Sequence, residues 1–251
     1  MIRFENLEFA YRRAAPPVVR AITAEITPGV TVLLGPNGSG KSTLLRLALG
    51  VLCPTAGHAL LDGRPAHTWR GLGLKQRIAY LDQRPSVSTP FTVHEVVALA
   101  ASREHADAAI EQLDLAARAH TRFAELSVGQ QQRAMLARVV AQATASDRPL
   151  AVLADEPMSA LDPAHALLAA EVLRALADAG HVVFTAVHDF TIASRLADRA
   201  LLLDARGQIA RQGRASDVLA PEPLAGVFGV AFRALQDGAG PPALVPDRPV
   251  A

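Results

Sequence analysis

Apolar residues along the chain follow two patterns, continuous runs of strand length and helical stripes. The runs "VTVLLG" (30–35), "LAVLA" (150–154) and "HVVFTAV" (181–187) predict buried strands. A helical stripe, "KSTLLRLALG", follows the first run, and "PAHALLAAEVLRALADAG" lies between the other two. Two apolar strands joined by a helix are typical of a parallel sheet that is covered on both faces. We therefore predict an α/β fold.

The segments around this core have different patterns. Residues before Gly29 form short runs, "IRFENLEFAY" and "VVRAITAEI", which predict strands separated by turns. From about Arg84 to Ala145 the period is helical, and we predict an inserted helical region over residues 84–145. Five apolar residues of "QQQRAMLARVVAQA" share one face of a helix there: Met135, Leu136, Val139, Val140 and Ala143.

The last third of the chain returns to short elements. "FTIASRLADR" predicts a short helix, and "ALLLDARGQIARQG" predicts a pair of strands. The ending "DGAGPPALVPDRPVA" is rich in Pro and Gly, as poorly ordered chain is. We predict a single domain over residues 1–236 and a flexible tail over residues 237–251.

Composition narrows the class of protein. The 251 residues carry a formal net charge of +1, so no overall basic field points to nucleic acid as a partner. The one cysteine, Cys53, excludes a disulfide framework and is compatible with a reducing compartment. We expect no signal peptide in "MIRFENLEFAYRR", and no apolar stretch reaches the roughly 18 to 20 residues that span a bilayer. A role at a membrane would require other subunits.

A phosphate-binding loop follows the first buried strand. "GPNGSGKST" fits the pattern G-x-x-x-x-G-K-[ST], and it leads into a predicted helix, which is the context that supports such a match. Lys41 is one of only two lysines in the chain. We expect Lys41 to reach the β- and γ-phosphates of a nucleotide and Ser42 to ligate Mg²⁺. The whole loop comprises Gly35, Pro36, Asn37, Gly38, Ser39, Gly40, Lys41, Ser42 and Thr43.

A pair of carboxylates follows a second buried strand in "PLAVLADEP". Asp155 is placed to hold Mg²⁺, and Glu156 can orient and deprotonate an attacking water. Two surface acids at a strand end are the alternative. The phosphate loop favours the catalytic interpretation, because a nucleotide hydrolase needs both parts.

The order of the phosphate loop, "LSVGQ" (126–130) and "LADEP" resembles the ATP-binding cassette (ABC) ATPases. The resemblance covers residues 2 to 235. It implies a P-loop NTPase with a RecA-like, mainly parallel core, an N-terminal antiparallel β-subdomain and an inserted α-helical subdomain. It also implies that two copies sandwich ATP head to tail, with Ser127, Gly129 and Gln130 of one copy facing the γ-phosphate held by the other.

Further residues match positions of this family. Tyr11 stands where an aromatic side chain stacks on adenine, although a tyrosine packed in the sheet is the alternative. Gln83 matches the glutamine that senses Mg²⁺ and the attacking water. His188 matches the histidine that hydrogen-bonds the γ-phosphate. "SALD", which ends at Asp162, matches the loop that contacts the opposite cassette.

Two positions depart from the usual family pattern. Val128 replaces a glycine, and because a β-branched residue disfavours positive φ, we expect a helical or extended backbone there, or strain. Ala154 is smaller than the usual leucine, which predicts looser packing beside Asp155.

The finer resemblance is to importer ATPases that serve iron-siderophore, haem or cobalamin permeases. It rests on "TVHEVVALA", "DEPMSALDPAHALLAAEVLRAL" and "VHDFTIASRLADRALLL". It implies an ATPase at the cytoplasmic face of a membrane, bound to permease subunits near "RPSVSTPFTVHE" (84–95) and served indirectly by a substrate-binding protein. ATP would close the two cassettes, and hydrolysis would reopen them.

Two other functions stay open at this point. One is an ABC ATPase of another class, such as an exporter component. The other is a soluble P-loop enzyme, such as a nucleotide kinase or a nucleic-acid motor. A kinase has no use for "LSVGQ", and the chain shows no paired cassette, long coiled coil or basic patch of a nucleic-acid motor.

Overall fold

The structure is a computed structural model that describes residues 1–13, 15–84, 87, 89–236 and 240–249. The first part contains β1 (Ile2–Phe9), β2 (Val19–Ile26), β3 (Gly29–Leu34), α1 (Lys41–Leu49), β4 (Ala56–Leu61), β5 (Arg64–Pro65), α2 (Gly71–Lys75), β6 (Ile78–Leu81), α3 (Val93–Ala98), α4 (Arg103–Gln112) and α5 (Val128–Thr144). The second part contains β7 (Ala151–Asp155), α6 (Pro163–Asp178), β8 (Val182–Ala186), α7 (Phe190–Leu196), β9 (Arg199–Leu203), β10 (Ile209–Arg214), α8 (Ala215–Val218), α9 (Pro221–Phe228), β11 (Val230–Leu235) and β12 (Ala243–Pro249). Within the described ranges, no helix has the length and apolar content to cross a bilayer.

The central sheet has six strands in the order β10-β9-β3-β8-β7-β6. All neighbours in it are parallel except β9 and β10. Four parallel strands end just before, or at, a predicted site residue: β3 precedes Gly35, β6 precedes Gln83, β7 ends at Asp155, and β8 precedes His188. Because the carboxyl ends of parallel strands share one edge of the sheet, this topology gathers the four segments. The predicted α/β core is confirmed.

A second sheet is antiparallel and has the order β2-β1-β4-β5. Alternate side chains of β1, among them Ile2 and Phe4, are fully buried, as expected of a sheet with one face on a core. Helix α1 adds Leu44 and Leu45 to the same cluster, which continues to Phe184 of the central sheet. Helix α1 therefore joins the two sheets. The antiparallel subdomain is confirmed.

Helices α3, α4 and α5 occupy the region that we predicted to be helical. Glu95 completes a capping box with Thr92 at the start of α3, and Ser127 and Gln130 do the same at the start of α5. On α5, the predicted apolar face is buried apart from Met135, which is only partly buried. Helical periodicity therefore located both the helix and its inward face.

The polar side chains of α5 also cover the edge of the central sheet. Arg138 donates from Nη2 to the carbonyl oxygen of Tyr80 at 2.9 Å. Gln142 donates from Nε2 to the carbonyl oxygens of Ile78 at 2.8 Å and Lys75 at 2.7 Å. Strand β6 is the last strand of the sheet among the described residues, so the outward carbonyls of Ile78 and Tyr80 have no neighbouring strand there, whereas Lys75 ends α2. The helix supplies the missing donors.

The prediction of a flexible tail over residues 237–251 is wrong for β12. This strand pairs antiparallel with β11, and its Leu244 is 3% exposed. Ser194 of α7 donates from its hydroxyl to the carbonyl oxygen of Pro242 at 2.8 Å. Packing against β11 and α7 therefore outweighs the local preference of a Pro-rich segment. Residues 237–239, 250 and 251 lie outside the described residues.

Candidate active site

The phosphate loop, residues 35–43, is shaped by glycines. Gly35 has φ +152°, and a Cβ atom there would lie 2.7 Å from Ser39 Oγ and 2.8 Å from the carbonyl oxygen of Leu203. Gly40 adopts a left-handed conformation as the N-cap of α1, and no side chain caps this helix. The first amides of α1 are therefore available to another acceptor. A helix N-terminus of this kind favours an anion.

Lys41 lies buried beneath the loop. Its ammonium donates to the carbonyl oxygens of Gly35 at 2.8 Å and Pro36 at 3.3 Å. Burial lowers the pKa of Lys41, and the negative charges of Glu156 and Asp155 oppose that shift. The lysine is thus held at the centre of the loop between backbone oxygens and two carboxylates.

One cleft of about 270 Å³ unites the loop with residues from two other strand ends. Its volume is large enough for part of a nucleotide. The structure thus brings together the phosphate loop, Gln83 and Glu156, as the sequence predicted. The cleft is lined by Val18, Asn37, Gly38, Gly40, Lys41, Ser42, Thr43, Gln83 and Glu156.

Glu156 is held on both sides of its carboxylate. Gln83 donates from Nε2 to Oε2 at 2.6 Å, and His188 Nε2 makes a short contact with Oε1. The backbone of Glu156 has φ +52°, which is unusual for a residue other than glycine. The three side chains come from three different strand ends. Glutamine and histidine thus fix the direction of a carboxylate that reaches into the cleft.

Asp155, at the end of β7, is fully buried. Neither carboxylate oxygen has a hydrogen-bond partner in the described part of the chain. Burial raises the pKa of Asp155, and the nearby Ser42 hydroxyl opposes that shift. A buried carboxylate is costly unless a cation compensates it. Asp155 and Ser42 therefore fit the oxygen ligands of a hard divalent cation such as Mg²⁺.

Tyr11 lies beside the loop and not in the interior of the sheet. Its hydroxyl is 3.0 Å from Thr43 Oγ1, and its ring meets Phe9 edge-on with 4.9 Å between centroids. The residue is 57% exposed. A tyrosine packed inside the sheet, the alternative that the sequence left open, is therefore wrong. The ring is held at its hydroxyl and against Phe9, and more than half of the residue stays exposed.

The Ser127 turn, residues 126–130, begins α5. Ser127 Oγ accepts from the amide of Gln130 at 3.3 Å, and Gln130 Oε1 accepts from the amide of Ser127 at 3.0 Å. Val128 is the first helical residue and 67% exposed, so the expectation of a helical or extended backbone is confirmed for it. None of these residues lines the cleft around Lys41. Ser127 and Val128 of this turn are exposed, Gly129 and Gln130 are partly buried, and Leu126 is buried.

Comparison with known proteins agrees with this geometry. Residues 19–159 match the family model described as ABC transporter. The chain belongs to the ABC transporter family. It is 40% identical over 240 residues to the hemin import ATP-binding protein HmuV of Pseudomonas fluorescens, covering 92% of this chain and 93% of that protein. The protein of the same name from Rhodopseudomonas palustris is 40% identical over 256 residues, covering 98% and 94%.

Solved structures of ABC proteins have the same fold. A putative metal-chelate type ABC transporter in an inward-facing conformation has a TM-score of 0.77 at 26% identity, covering 98% of this chain and 97% of that chain. A dimeric bacterial ABC transporter cassette has a TM-score of 0.75 at 26% identity, covering 86% and 99%. This ABC ATPase therefore binds and hydrolyses ATP with a fold shared along nearly its whole length.

The loop that ends at Asp162 leads from β7 into α6. Asp162 is the N-cap of α6 and accepts from the amide of His165 at 3.1 Å. Its other oxygen lies 2.6 Å from Nδ1 of His165. The hydrogen bond from the His165 amide is the main cause that lowers the pKa of Asp162, and the hydrogen bond with the His165 side chain is the second. In this ABC ATPase Asp162 stabilises the helix start, and it does not line the cleft.

Gln132 is a residue that sequence reasoning missed. It is 1% exposed, and its Nε2 donates to the carbonyl oxygen of Glu156 at 3.2 Å. A signal was present, because Gln132 lies one helical turn before buried Leu136 and so falls on the inward face of α5. A glutamine on an apolar face needs a polar partner. The identity of that partner could not be read from the pattern.

Proposed function

We propose that this chain is the ATP-hydrolysing subunit of a haem importer. The observation that carries the proposal is the set of relatives named hemin import ATP-binding protein, which are about as long as this chain and match it over more than nine tenths of its length. The likeness to a putative metal-chelate type transporter supports the same class of cargo. The cleft around Lys41 supports ATP hydrolysis as the energy source.

In the proposed mechanism the chain's own residues hold and activate the reactants. Amides of the phosphate loop and Lys41 bind the β- and γ-phosphates, and the ring of Tyr11 stacks on adenine. Ser42, Asp155 and Gln83 are the residues that would hold Mg²⁺, which offsets charge on the triphosphate. These groups bind the nucleotide in one orientation.

Hydrolysis then depends on Glu156. Its carboxylate takes a proton from the attacking water while Gln83 and His188 keep it directed at the γ-phosphate. His188 also hydrogen-bonds the γ-phosphate. Because Gln83 and His188 follow different strands, a shift of either strand end would misdirect the carboxylate. Catalysis is thus sensitive to the packing of the whole sheet edge.

The chain acts as a head-to-tail dimer. Ser127, Gly129 and Gln130 face solvent or are only partly buried, which leaves the start of α5 free to contact the γ-phosphate held by the second copy. Asp162 belongs to the loop that meets the opposite cassette. ATP bound between two chains favours the closed pair, because its phosphates gain contacts that the open pair does not offer. Hydrolysis removes that preference.

Membrane permease subunits dock beside the helical region, at the cytoplasmic face. Of the segment 84–95 that we predict to dock, residues 85, 86 and 88 lie outside the described residues. Leu72 in α2 and Leu99 at the end of α3 are exposed, and Lys75 Nζ of α2 donates to the carbonyl oxygen of Leu99 at 3.1 Å. This hydrogen bond brings α2 and the end of α3 together, and exposed apolar side chains near such a contact support a protein interface there. The permease subunits in turn receive haem from a substrate-binding protein.

Reconstitution tests the cargo. The chain is purified with its co-purifying membrane subunits, placed in liposomes and supplied with binding proteins loaded with haem, a ferric siderophore or cobalamin. We expect the haem-loaded protein to accelerate ATP hydrolysis more than its empty form, and the Glu156→Gln complex to show no acceleration. Acceleration by the siderophore or cobalamin protein, with none by the haem protein, would overturn the proposed cargo and leave the ATPase assignment intact.

A further inference from the structure

The helix that starts with the Ser127 turn also touches the catalytic loop of its own chain. Gln132, one turn into α5, donates to the backbone carbonyl of Glu156. A carbonyl can only accept, so the amide nitrogen of Gln132 is the group that faces it. With Gln132 1% exposed, water does not replace this bond readily. One short helical segment thus connects the Ser127 turn to Glu156.

The carbonyl oxygen of Glu156 accepts hydrogen bonds from more than one residue. It also accepts from the amide of Ser159 at 3.2 Å and from its hydroxyl at 3.1 Å. Glu156 has φ +52°, a conformation that costs a residue with a side chain about 1 kcal/mol or more and persists only where its surroundings hold it. The amide of Gln132 and the amide and hydroxyl of Ser159 are the donors that stabilise this conformation. They fix the peptide after Glu156 and therefore the direction in which its side chain leaves the backbone.

A second contact ties the same loop to the same helix. A Cβ atom on Gly129 would lie 2.7 Å from the carbonyl oxygen of Ala160, so the two backbones are nearly in contact. The loop after Glu156 thus meets α5 at two places, through the hydrogen bond of Gln132 and through close packing at Gly129. A displacement of the start of α5 would move the loop with it.

We propose that Gln132 is a positioning residue that couples the Ser127 turn to the catalytic carboxylate of its own chain. The proposal rests on the head-to-tail dimer proposed above. There, the Ser127 turn contacts the ATP held by the partner, whereas Glu156 acts on the ATP held by its own phosphate loop. Gln132 therefore joins the two ATP sites through a single chain. Seating of the turn on one nucleotide aligns the base that deprotonates the water attacking the other nucleotide.

A control on the same helix separates this role from simple stabilisation. Gln142 is also buried, and its amide also donates to backbone carbonyls, but those belong to Ile78 and Lys75. Methionine matches the length and shape of glutamine and cannot donate. Gln132→Met and Gln142→Met should therefore lower thermal stability to a similar degree. The two variants differ in whether Glu156 loses a hydrogen bond.

The test measures ATP affinity, the single-turnover rate of hydrolysis, and the Mg-ATP-dependent dimer by gel filtration. For Gln132→Met we expect a rate about tenfold lower, ATP affinity within about twofold of the parent, and a dimer that persists longer before it dissociates. For Gln142→Met we expect the parental rate. If Gln132→Met does not fold, Gln132→Leu, which also lacks the donor, takes its place in every measurement.

Three results would overturn the proposal. A Gln132→Met rate within twofold of the parent would mean that the hydrogen bond does not position Glu156. Equal slowing by Gln142→Met would mean that the effect is one of helix stability. Loss of the ATP-dependent dimer would mean that Gln132 supports the Ser127 turn alone. Because all measurements use ATP without cargo, a failed haem assignment would leave them unaffected.

Discussion

Gly129→Ala tests whether the backbones of α5 and the loop after Glu156 must touch. The added Cβ would lie 2.7 Å from the carbonyl oxygen of Ala160, against 3.4 Å for ordinary contact, so the loop must move by about 0.7 Å. Overpacking of this kind costs about 1–3 kcal/mol. Alanine regains at most about 1 kcal/mol, because it is the better helix former. We expect the free energy of unfolding to fall by about 1 kcal/mol.

Gly226→Ala is the matched control, because Gly226 lies inside α9 and nothing lies within 4 Å of a Cβ there. We expect Gly226→Ala to raise the unfolding temperature by about 2–4 °C and Gly129→Ala to lower it by about as much, measured by thermal denaturation. ATP hydrolysis should fall in Gly129→Ala alone, since the loop that its Cβ displaces follows Glu156 directly. If both variants became more stable and kept parental ATPase activity, the close approach would not constrain the loop.

Substitutions at four residues test the site further. Lys41→Ala should reduce steady-state ATPase activity to background, and near-parental turnover would refute its role. Glu156→Gln should bind ATP and elute as a dimer with Mg-ATP in gel filtration, so a variant that stays monomeric would contradict closure. Tyr11→Ala should raise KM for ATP about tenfold with a smaller change in kcat, whereas Tyr11→Phe should stay near the parent. Asp155→Asn should abolish hydrolysis yet raise the unfolding temperature at pH 7. Burial raises the pKa of Asp155, so the carboxylate costs stability once pH exceeds its unfolded pKa, and the gain should shrink at pH 4; an equal gain at both pH values would contradict that cause.

The parts of the site that the sequence predicted are those carried by local patterns. A glycine-rich loop after an apolar strand identifies Lys41, and a carboxylate pair after another identifies Asp155 and Glu156. Parallel topology then requires them to meet at one sheet edge, as the structure shows. The backbone conformation of Val128 could also be predicted locally, because its β-branched side chain disfavours positive φ.

What the sequence did not predict depends on partners far along the chain. The bond from Gln132 to Glu156 spans 24 residues, and no spacing rule relates the two. Strand β12 contains two prolines, which locally disfavour a strand, and it forms because β11 and α7 provide a surface. Periodicity reports which face of an element is buried. It does not report which element buries it.

The cover that α5 gives to β6 bears on how copies of this protein can meet. An uncovered edge strand invites strand addition from any neighbouring chain and so promotes aggregation. Here Arg138 and Gln142 occupy outward carbonyls of that edge, which leaves fewer acceptors for an intruding strand. Copies of this protein are therefore less prone to associate by extending their sheets, which favours the nucleotide-dependent contact that we propose.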